Sequence, residues 1–458
     1  MRRPSIILAL TALMACQSLV DVDLGAGIGA PCGTNDECQG SSCLDGICTV
    51  RCADDAGCPG GTVCSREICE LPLRVGYVYP FPVSQDELAQ SVDLGRIGVE
   101  AELAYVSSVA VENKPLAAEA TDAALDLVAQ GSSVIVATSS GQAQAFAALS
   151  AANPELNVLV LDSPVASADL TSVAPRMYQA YYLAGFAAAR KSATRRLGMI
   201  GSVPTPSVIA RINAFALGAR RALEPQSLQA TIEVRWMGDW HDTGAPVENE
   251  TKEVRDTRDL LLAGADVVAH TLDNNIPLTS MRYIIDKDQS DAITSGFAVA
   301  ANLAAGCEGA ASPECIGSAY YSWTPILSAA FQIIQREEEL GGFLRMGIAV
   351  SEAESAVGFR VGAAAPAGVD TEIDAIRAEL LNEEGVGPIF DGPIVSVRCS
   401  QLNDNQTPCV AEGERLSEEG LARMCWYIDD VGLVERQGGT DLPAVVPAGC
   451  EASLPPVD

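Results

Sequence analysis

The sequence predicts an α/β protein of two lobes, each a parallel sheet flanked by helices, preceded by a small disulfide-rich module. Three observations favour this fold class. From residue 73 onward, apolar runs of strand length alternate with stretches of helical spacing, which is typical of parallel sheets covered on both faces. The number of these units exceeds what one sheet usually holds. Ahead of them, eight of the 15 cysteines fall within residues 32–70.

The amino terminus has the pattern of a bacterial lipoprotein signal, predicted over residues 1–15. Arg2 and Arg3 precede an apolar run too short to span a bilayer, and the run ends in Leu13-Met14-Ala15-Cys16. This lipobox makes Cys16 the expected lipidation site, followed by a tether over residues 16–31. An ordinary cleaved signal with a coincidental cysteine is the alternative. The expected location is the bacterial cell envelope, lipid-anchored, in the periplasm or at the outer membrane or cell surface.

The other cysteines are expected to form disulfides, because 15 less Cys16 leaves 14, an even number. Module 32–70 has few large apolar side chains, so cross-links worth roughly 2–4 kcal/mol each must stabilise it. Its connectivity stays open. A metal site is disfavoured, because no CxxC occurs and neither histidine lies near these cysteines. The module contains Cys32, Cys38, Cys43, Cys48, Cys52, Cys58, Cys64 and Cys69, and the apparent local pairs downstream are Cys307/Cys315, Cys399/Cys409 and Cys425/Cys450.

The charge balance argues against polyanionic partners. With 60 acidic and 29 basic residues the net charge is −31, which disfavours binding to nucleic acid or directly to an anionic lipid surface. After the signal no apolar run approaches the roughly 20 residues of a membrane span. A lipid is therefore the expected membrane anchor.

Strands and helices follow in a regular order after residue 73. A strand over residues 74–80 and a helix over residues 93–103 come first. The predicted helix–strand pairs are then 121–130 with 133–140, 142–152 with 157–162, 178–190 with 196–201, 207–223 with 232–240, and 254–263 with 266–271. In helix 207–223 apolar residues recur at i, i+4, i+7 and i+8, which predicts one buried face.

Polar and aromatic residues gather where the predicted strands end. Ligands of such sheets bind beyond the carboxyl ends of the strands. Those ends carry hydroxyls, carboxylates and two tryptophans, Trp240 and Trp323, although aromatic residues make up only 5% of the chain. An aromatic face beside hydrogen-bond acceptors suits a nucleoside or nucleobase. Core packing explains each tryptophan about as well.

Several stretches resemble the basic membrane protein family of solute-binding lipoproteins, also called PnrA-like purine-nucleoside receptors. The similarity runs from about residue 73 to about residue 434, and leaves residues 435–458 as a tail tied by Cys450. It implies two lobes of the periplasmic-binding-protein type I fold, a small-molecule ligand, an ABC permease as partner, no catalysis and no cofactor. The segments that carry it include 74–79, 181–188, 209–220, 286–289, 390–394 and 424–427.

The resemblance also implies roles for individual residues. Trp240 falls where the family stacks an aromatic ring on the purine, and Asp286 where a carboxylate holds the sugar hydroxyls. Asp273 and Ser139 occupy other pocket positions at strand ends. Gln90, as a retained polar contact in the first loop, and Trp323 complete the candidate ligand-binding set.

Departures from the family leave the ligand open. Leu88 and Gln142 stand where aromatic residues are usual, and two inserts, 242–256 and 303–315, are expected as surface loops. An enzyme is disfavoured, because no GxSxG, Walker A or GxGxxG element stands at a strand–helix junction. The remaining alternative is a surface lipoprotein in which a degenerate binding fold is a scaffold and the cysteine-rich module mediates protein contacts.

Overall fold

The computed structural model describes residues 27–44, 46–288, 292–309, 312–336, 340–381, 386–395, 408–428, 436–437 and 440–441. The predicted signal, Cys16 and most of the tether lie outside the described residues, as do Cys399 and Cys450. Within these ranges, none of the helices has the length and apolar character that crossing a membrane requires.

Residues 31–70 form two similar hairpin units in tandem. The first unit contains β1 (Ser42–Leu44) and β2 (Ile47–Thr49), and the second contains β3 (Val63–Ser65) and β4 (Ile68–Glu70). In both units the first cysteine pairs with the third and the second with the fourth, so the module is an internal repeat. The four bonds are Cys32–Cys43, Cys38–Cys48, Cys52–Cys64 and Cys58–Cys69.

Lobe 1 is built on a six-stranded parallel sheet in the order β15-β9-β8-β7-β5-β6. Helices α1 (Glu87–Glu102) and α9 (Trp323–Gln335) cover one face, and α2 (Ala117–Ala129) and α3 (Ala143–Ala152) cover the other. The strands are β5 (Leu73–Val78), β6 (Val106–Val111), β7 (Val134–Ala137), β8 (Asn157–Leu161), β9 (Leu170–Val173) and β15 (Gly342–Leu344).

Lobe 2 has a second six-stranded sheet in the order β11-β10-β12-β13-β14-β16, in which only the pairing of β14 with β16 is antiparallel. Its strands are β10 (Arg196–Gly201), β11 (Thr231–Trp236), β12 (Val267–His270), β13 (Phe297–Asn302), β14 (Cys315–Tyr321) and β16 (Val357–Val361). Its helices are α4 (Met177–Lys191) and α5 (Pro206–Leu223) on one face, α6 (Lys252–Leu262), α7 (Ile276–Thr279) and α8 (Met281–Lys287) on the other, and α10 (Val369–Leu380) against α4.

Helices α4 and α5 approach each other closely because glycines lie at their contact. A Cβ atom on Gly185 would lie 1.9 Å from the carbonyl oxygen of Phe215, and one on Gly218 would lie 1.9 Å from that of Tyr182. Side chains at these positions would therefore push the helices apart. The chain passes between the two sheets three times, through α4, through α9 and between β15 and β16.

The described cysteines outside the module are also disulfide-bonded. Cys307 is bonded to Cys315 and closes the loop of the predicted insert 303–315. Cys409 and Cys425 are also disulfide-bonded, and the residues predicted as their partners lie outside the described ranges.

Two predicted strand ends differ from the structure. The predicted strand 232–240 ends at Trp236, because Gly238 takes a left-handed φ of 80° and turns the chain, so Trp240 lies in a loop. Residues 286–288 lie at the end of helix α8 and not at a strand end. Met281 and Ile284, three residues apart, are buried and fix one face of that helix against the core.

Candidate functional site

The carboxyl ends of both sheets face a narrow cleft between the lobes. The empty space between its walls is about 350 Å³, including the open solvent at its mouth. Lobe 1 contributes Leu88, Thr138, Ser139, Ser140, Leu161 and Asp162, with Trp323 from the start of α9, and lobe 2 contributes Arg211, Trp240, Asp273, Asn302 and Tyr321.

The structure brings four of the six predicted ligand-binding residues to this cleft: Ser139, Trp240, Asp273 and Trp323. Leu88, which replaces the expected aromatic residue, also lines it. Gln90 does not, because it lies on the exposed side of α1, two residues beyond Leu88.

Asp286 also lies away from the cleft. It is on the outer helix α8, its side chain is 61% exposed, and its carboxylate lies 3.4 Å from Arg282 Nε. The family resemblance implied that Asp286 holds the sugar hydroxyls of a ligand, but the structure places it on this outer helix. The carboxyl groups that line the cleft are those of Asp162, which is partly exposed, and Asp273, which is buried.

The loop after β11 holds Trp240 with its indole half-buried at the cleft. Its backbone N–H donates to Asp239 Oδ1 at 2.8 Å, and its carbonyl oxygen accepts from the Asp273 N–H at 3.0 Å. The backbone is thus fixed on both sides, while the ring is partly exposed at the cleft. Such a ring can stack on a flat ligand.

Trp323 lies deeper than Trp240. It is 1% exposed, its Nε1 donates to Ser91 Oγ at 3.0 Å, and its ring stacks on Tyr321 with centroids 4.8 Å apart. Its polar atom is therefore already satisfied by the protein. Trp323 is both a core residue and the floor of the cleft.

Asp162 of lobe 1 is held by three groups of lobe 2. Arg211 forms an ion pair with it, the Tyr321 hydroxyl donates to Oδ2 at 3.1 Å, and the Ser207 hydroxyl donates to Oδ1 at 3.2 Å. Burial opposes the charge of Arg211, but the nearby Asp162 raises the pKa of Arg211 above its usual value. Burial also raises the pKa of Tyr321, which keeps its hydroxyl a donor.

Asp273 follows β12 and is 7% exposed. Burial raises the pKa of its carboxyl well above the usual value, and the charge of Asp86 raises it further. Burial likewise raises the pKa of Asp86 at the start of α1. A buried carboxyl of this kind favours a ligand that offers N–H or O–H groups over one that offers another anion.

His270 fixes the strand end that leads to Asp273. The Leu272 N–H lies 3.3 Å from its Nδ1, and its Nε2 lies 3.1 Å from Asn275 Oδ1, which is the arrangement of a neutral ring. Burial lowers the pKa of His270 to about 4.

Contacts between the lobes close the cleft beside α1. The Glu87 N–H donates to the Asp273 carbonyl at 2.9 Å, and the Asn275 N–H donates to Glu87 Oε1 at 3.2 Å. Phe81 of lobe 1 packs edge-on against His241 of lobe 2, with centroids 4.5 Å apart. The structure is therefore a closed arrangement of the lobes.

The predicted ligand-binding set left out Arg211, Asn302 and Tyr321, which line the cleft. Arg211 carried the clearest signal, because a charged residue between Ala210 and Ile212 on the apolar face of a helix needs a partner. Asp162, at the end of a predicted strand, was the available candidate for that partner.

Comparison with known proteins decides the family. Residues 74–292 match the family model described as ABC transporter substrate-binding protein PnrA-like. Over these residues, just under half of the chain, the protein is similar to that family. The resemblance predicted from the sequence is confirmed, and so is the expectation of a non-enzymatic protein, because the family consists of substrate-binding proteins.

Two curated relatives match shorter segments. A purine-binding protein of Brucella abortus is 27% identical over 206 residues, which are 45% of this chain and 56% of that protein. A protein of Haloferax volcanii named as an ABC transporter glucose-binding protein is 35% identical over 99 residues, 22% of each chain. The chain thus spans about half the length of the first relative and about a fifth of the second.

Solved structures show the same fold. A solute-binding protein of an ABC transporter system from Conexibacter woesei aligns with a TM-score of 0.50 at 15% identity, covering 67% of this chain and 96% of that one. At this identity the likeness concerns the fold alone. The predicted architecture of two parallel α/β lobes of the periplasmic-binding-protein type I fold is confirmed.

Proposed function

We propose that this chain is the extracytoplasmic solute-binding component of an ABC importer and that its ligand is a purine nucleoside or nucleobase. The observation that carries the proposal is the half-buried indole of Trp240 at the closed cleft, beside the buried carboxyl of Asp273. The indole stacks on the base, and Asp273 and Ser139 accept or donate hydrogen bonds at its edge or at the sugar. The purine-binding relative from Brucella abortus supports this ligand class.

The charges of the cleft favour a ligand without phosphate. Asp162 and Arg211 neutralise each other, and Asp273 adds an acidic group without a second cation among the described lining residues. A phosphate would face that carboxyl in a site of low dielectric. A nucleoside is therefore favoured over a nucleotide.

The envelope location is part of the proposal. Five disulfides whose two partners are both described support an oxidising compartment. The lipid anchor on Cys16 is proposed from the lipobox alone, and metabolic labelling with a fatty acid tests it. Cys16→Ala should abolish the label.

A ligand screen tests the cleft. Residues 17–458 are heated with nucleosides, nucleobases, sugars and amino acids, since a ligand at 100 times its Kd stabilises the folded state by roughly 2.7 kcal/mol. A shift with purines is expected. A shift with sugars alone would keep a receptor and overturn its ligand class. A folded sample that responds to no compound would favour the surface-scaffold alternative.

Matched aspartate variants test the assignment of the site. Asp273→Ala should weaken binding of the purine found in the screen by about 1–3 kcal/mol. Asp286→Ala should leave the Kd unchanged, because that side chain points to solvent from α8. The reverse order of effects, measured by titration calorimetry, would place the ligand elsewhere.

A further inference from the structure

A second pocket lies on the other side of the Asp162–Arg211 ion pair from the cleft. Its empty space is about 530 Å³, including the open solvent at its mouth, and these two residues line both spaces. We call it the hinge pocket, because the segment 174–178, which leads from lobe 1 into α4, forms one wall. The other walls come from β15, the start of α5 and the short helix Glu418–Ala422.

Most of the exposed surface of the hinge pocket is apolar. Met177 and Tyr178 line it from the crossing segment, Phe343 from β15 and Leu421 from the short helix. Phe343 is 37% exposed, so part of its ring is open to this pocket and to solvent. This surface fits the ring or short chain of a small organic molecule.

Two arginines at the same pocket share one carboxylate. Arg176 Nη2 lies 2.8 Å from Glu418 Oε1, and Arg345 Nη1 lies 3.1 Å from Glu418 Oε2. Arg176, Arg345 and Glu418 together carry one net positive charge. Arg211 does not add to it, because Asp162 balances its charge. The guanidinium of Arg345 lies 4.2 Å above the Phe343 ring, so the excess charge adjoins the apolar surface.

Donor groups at this pocket are left over. The Nε atoms of Arg176 and Arg211 are buried and have no hydrogen-bond acceptor among the described residues. Burial lowers the pKa of Arg345, although Glu418 acts in the opposite direction. Leaving a buried donor of a charged group unpaired costs free energy that an additional acceptor would recover.

We propose that the hinge pocket binds a small amphipathic monoanion, a carboxylate on a ring or short chain. Its carboxylate lies at Arg176 and Arg345, and its apolar part lies against Phe343 and Leu421. The site is separate from the cleft, and the proposal does not depend on the ligand proposed there.

Phenylacetate and its uncharged analogue phenylacetamide are the probes. Titration calorimetry of residues 17–458 should show one phenylacetate bound per chain, with at least tenfold lower affinity for phenylacetamide. Arg345→Gln should weaken phenylacetate binding at least tenfold, while Glu418 stays paired with Arg176. Arg423→Gln is the matched control, because Arg423 is 67% exposed on the same helix end and does not line the pocket. Its Kd should stay within twofold.

Two further variants keep the test decisive. Ala422→Phe fills the pocket from its rim and should abolish phenylacetate binding even if Arg345→Gln does not fold. Trp240→Ala, in the cleft, should leave phenylacetate binding unchanged. Equal binding of acid and amide, an unchanged Kd in Arg345→Gln, loss of binding in Trp240→Ala, or no binding to the folded chain would each overturn the proposal. None of these results bears on the purine screen, so the two proposals fail separately.

Discussion

The two lobes contribute unequally to the cleft between them. Lobe 2 supplies Arg211, Trp240, Asp273 and Tyr321, which are its charged and large aromatic groups. Lobe 1 supplies hydroxyls, apolar side chains and the buried ring of Trp323, and its one carboxylate among the described lining residues, Asp162, is itself bound by lobe 2. We therefore expect lobe 2 to supply most of the contacts to the proposed ligand and lobe 1 to close over it.

The largest expected effect comes from the ion pair that joins the lobes. Arg211→Met leaves Asp162 without its cation and should lower the free energy of unfolding by about 3–5 kcal/mol. The exposed pair of Arg423 with Glu419 offers a control, and Arg423→Met should cost less than about 1 kcal/mol. Urea denaturation measures both. Equal losses of unfolding free energy in the two variants would show that the Arg211–Asp162 pair does not hold the lobes together.

Acid should destabilise lobe 2 through His270, because this buried ring is held neutral in the folded protein. Burial lowers the pKa of His270 to about 4 from 6.5. Its contribution to stability is therefore complete above pH 6.5 and is lost as the pH falls towards 4, by about 3 kcal/mol in all. Asp273 and Asp86, whose pKa values are raised, act in the opposite direction.

One variant separates the contribution of His270 to the pH dependence of stability from that of Asp273 and Asp86. His270→Gln should remove the histidine part, so the difference in unfolding free energy between the two proteins should shrink as the pH falls from 7 to 4. A difference that does not vary with pH would show that His270 is not held neutral.

Trp240→Ala tests whether lobe 2 provides the stacking surface. Loss of the indole should weaken purine binding by about 1–3 kcal/mol, the usual range for a base on an aromatic ring. Trp240→Phe should restore part of the affinity. Calorimetry that finds an unchanged Kd for Trp240→Ala would remove the proposed stack.

The smallest effect should come from lobe 1. Ser139→Ala removes one hydroxyl from the cleft and should cost about 0.5–1.5 kcal/mol of binding free energy, the value of a single neutral hydrogen bond. A loss larger than that of Trp240→Ala would reverse the roles assigned to the lobes.

The sheets were predictable because their central strands are continuous apolar runs between helices of clear period. Strands β6, β9, β13, β15 and β16 were missed. Leu170–Val173 and Gly342–Leu344 are too short to show a pattern, and their pairing brings together segments far apart in the chain. The spacing of the eight cysteines in module 32–70 already repeats. Which cysteine bonds to which could be read only from the structure.

The site was predictable where it depends on strand ends. Ser139 and Asp273 directly follow strands, so the rule for parallel sheets located them. Arg211 is in the middle of a helix, and only the packing of α5 against lobe 1 shows that it meets Asp162. Asp286 was assigned from the family resemblance, and the structure places it on the outer helix α8, away from the cleft.

Because the chain crosses between the two sheets three times, the order in which the lobes can fold during synthesis is restricted. The edge strand β15 and the covering helix α9 of lobe 1 come from residues 323–344, after most of lobe 2. Lobe 1 therefore cannot close its core until the chain is present to about residue 344, and neither lobe is a continuous segment that could be cut out whole. An exported chain would keep the apolar face of α1 uncovered until then, which makes this helix the surface that a chaperone outside the cytoplasm would meet first.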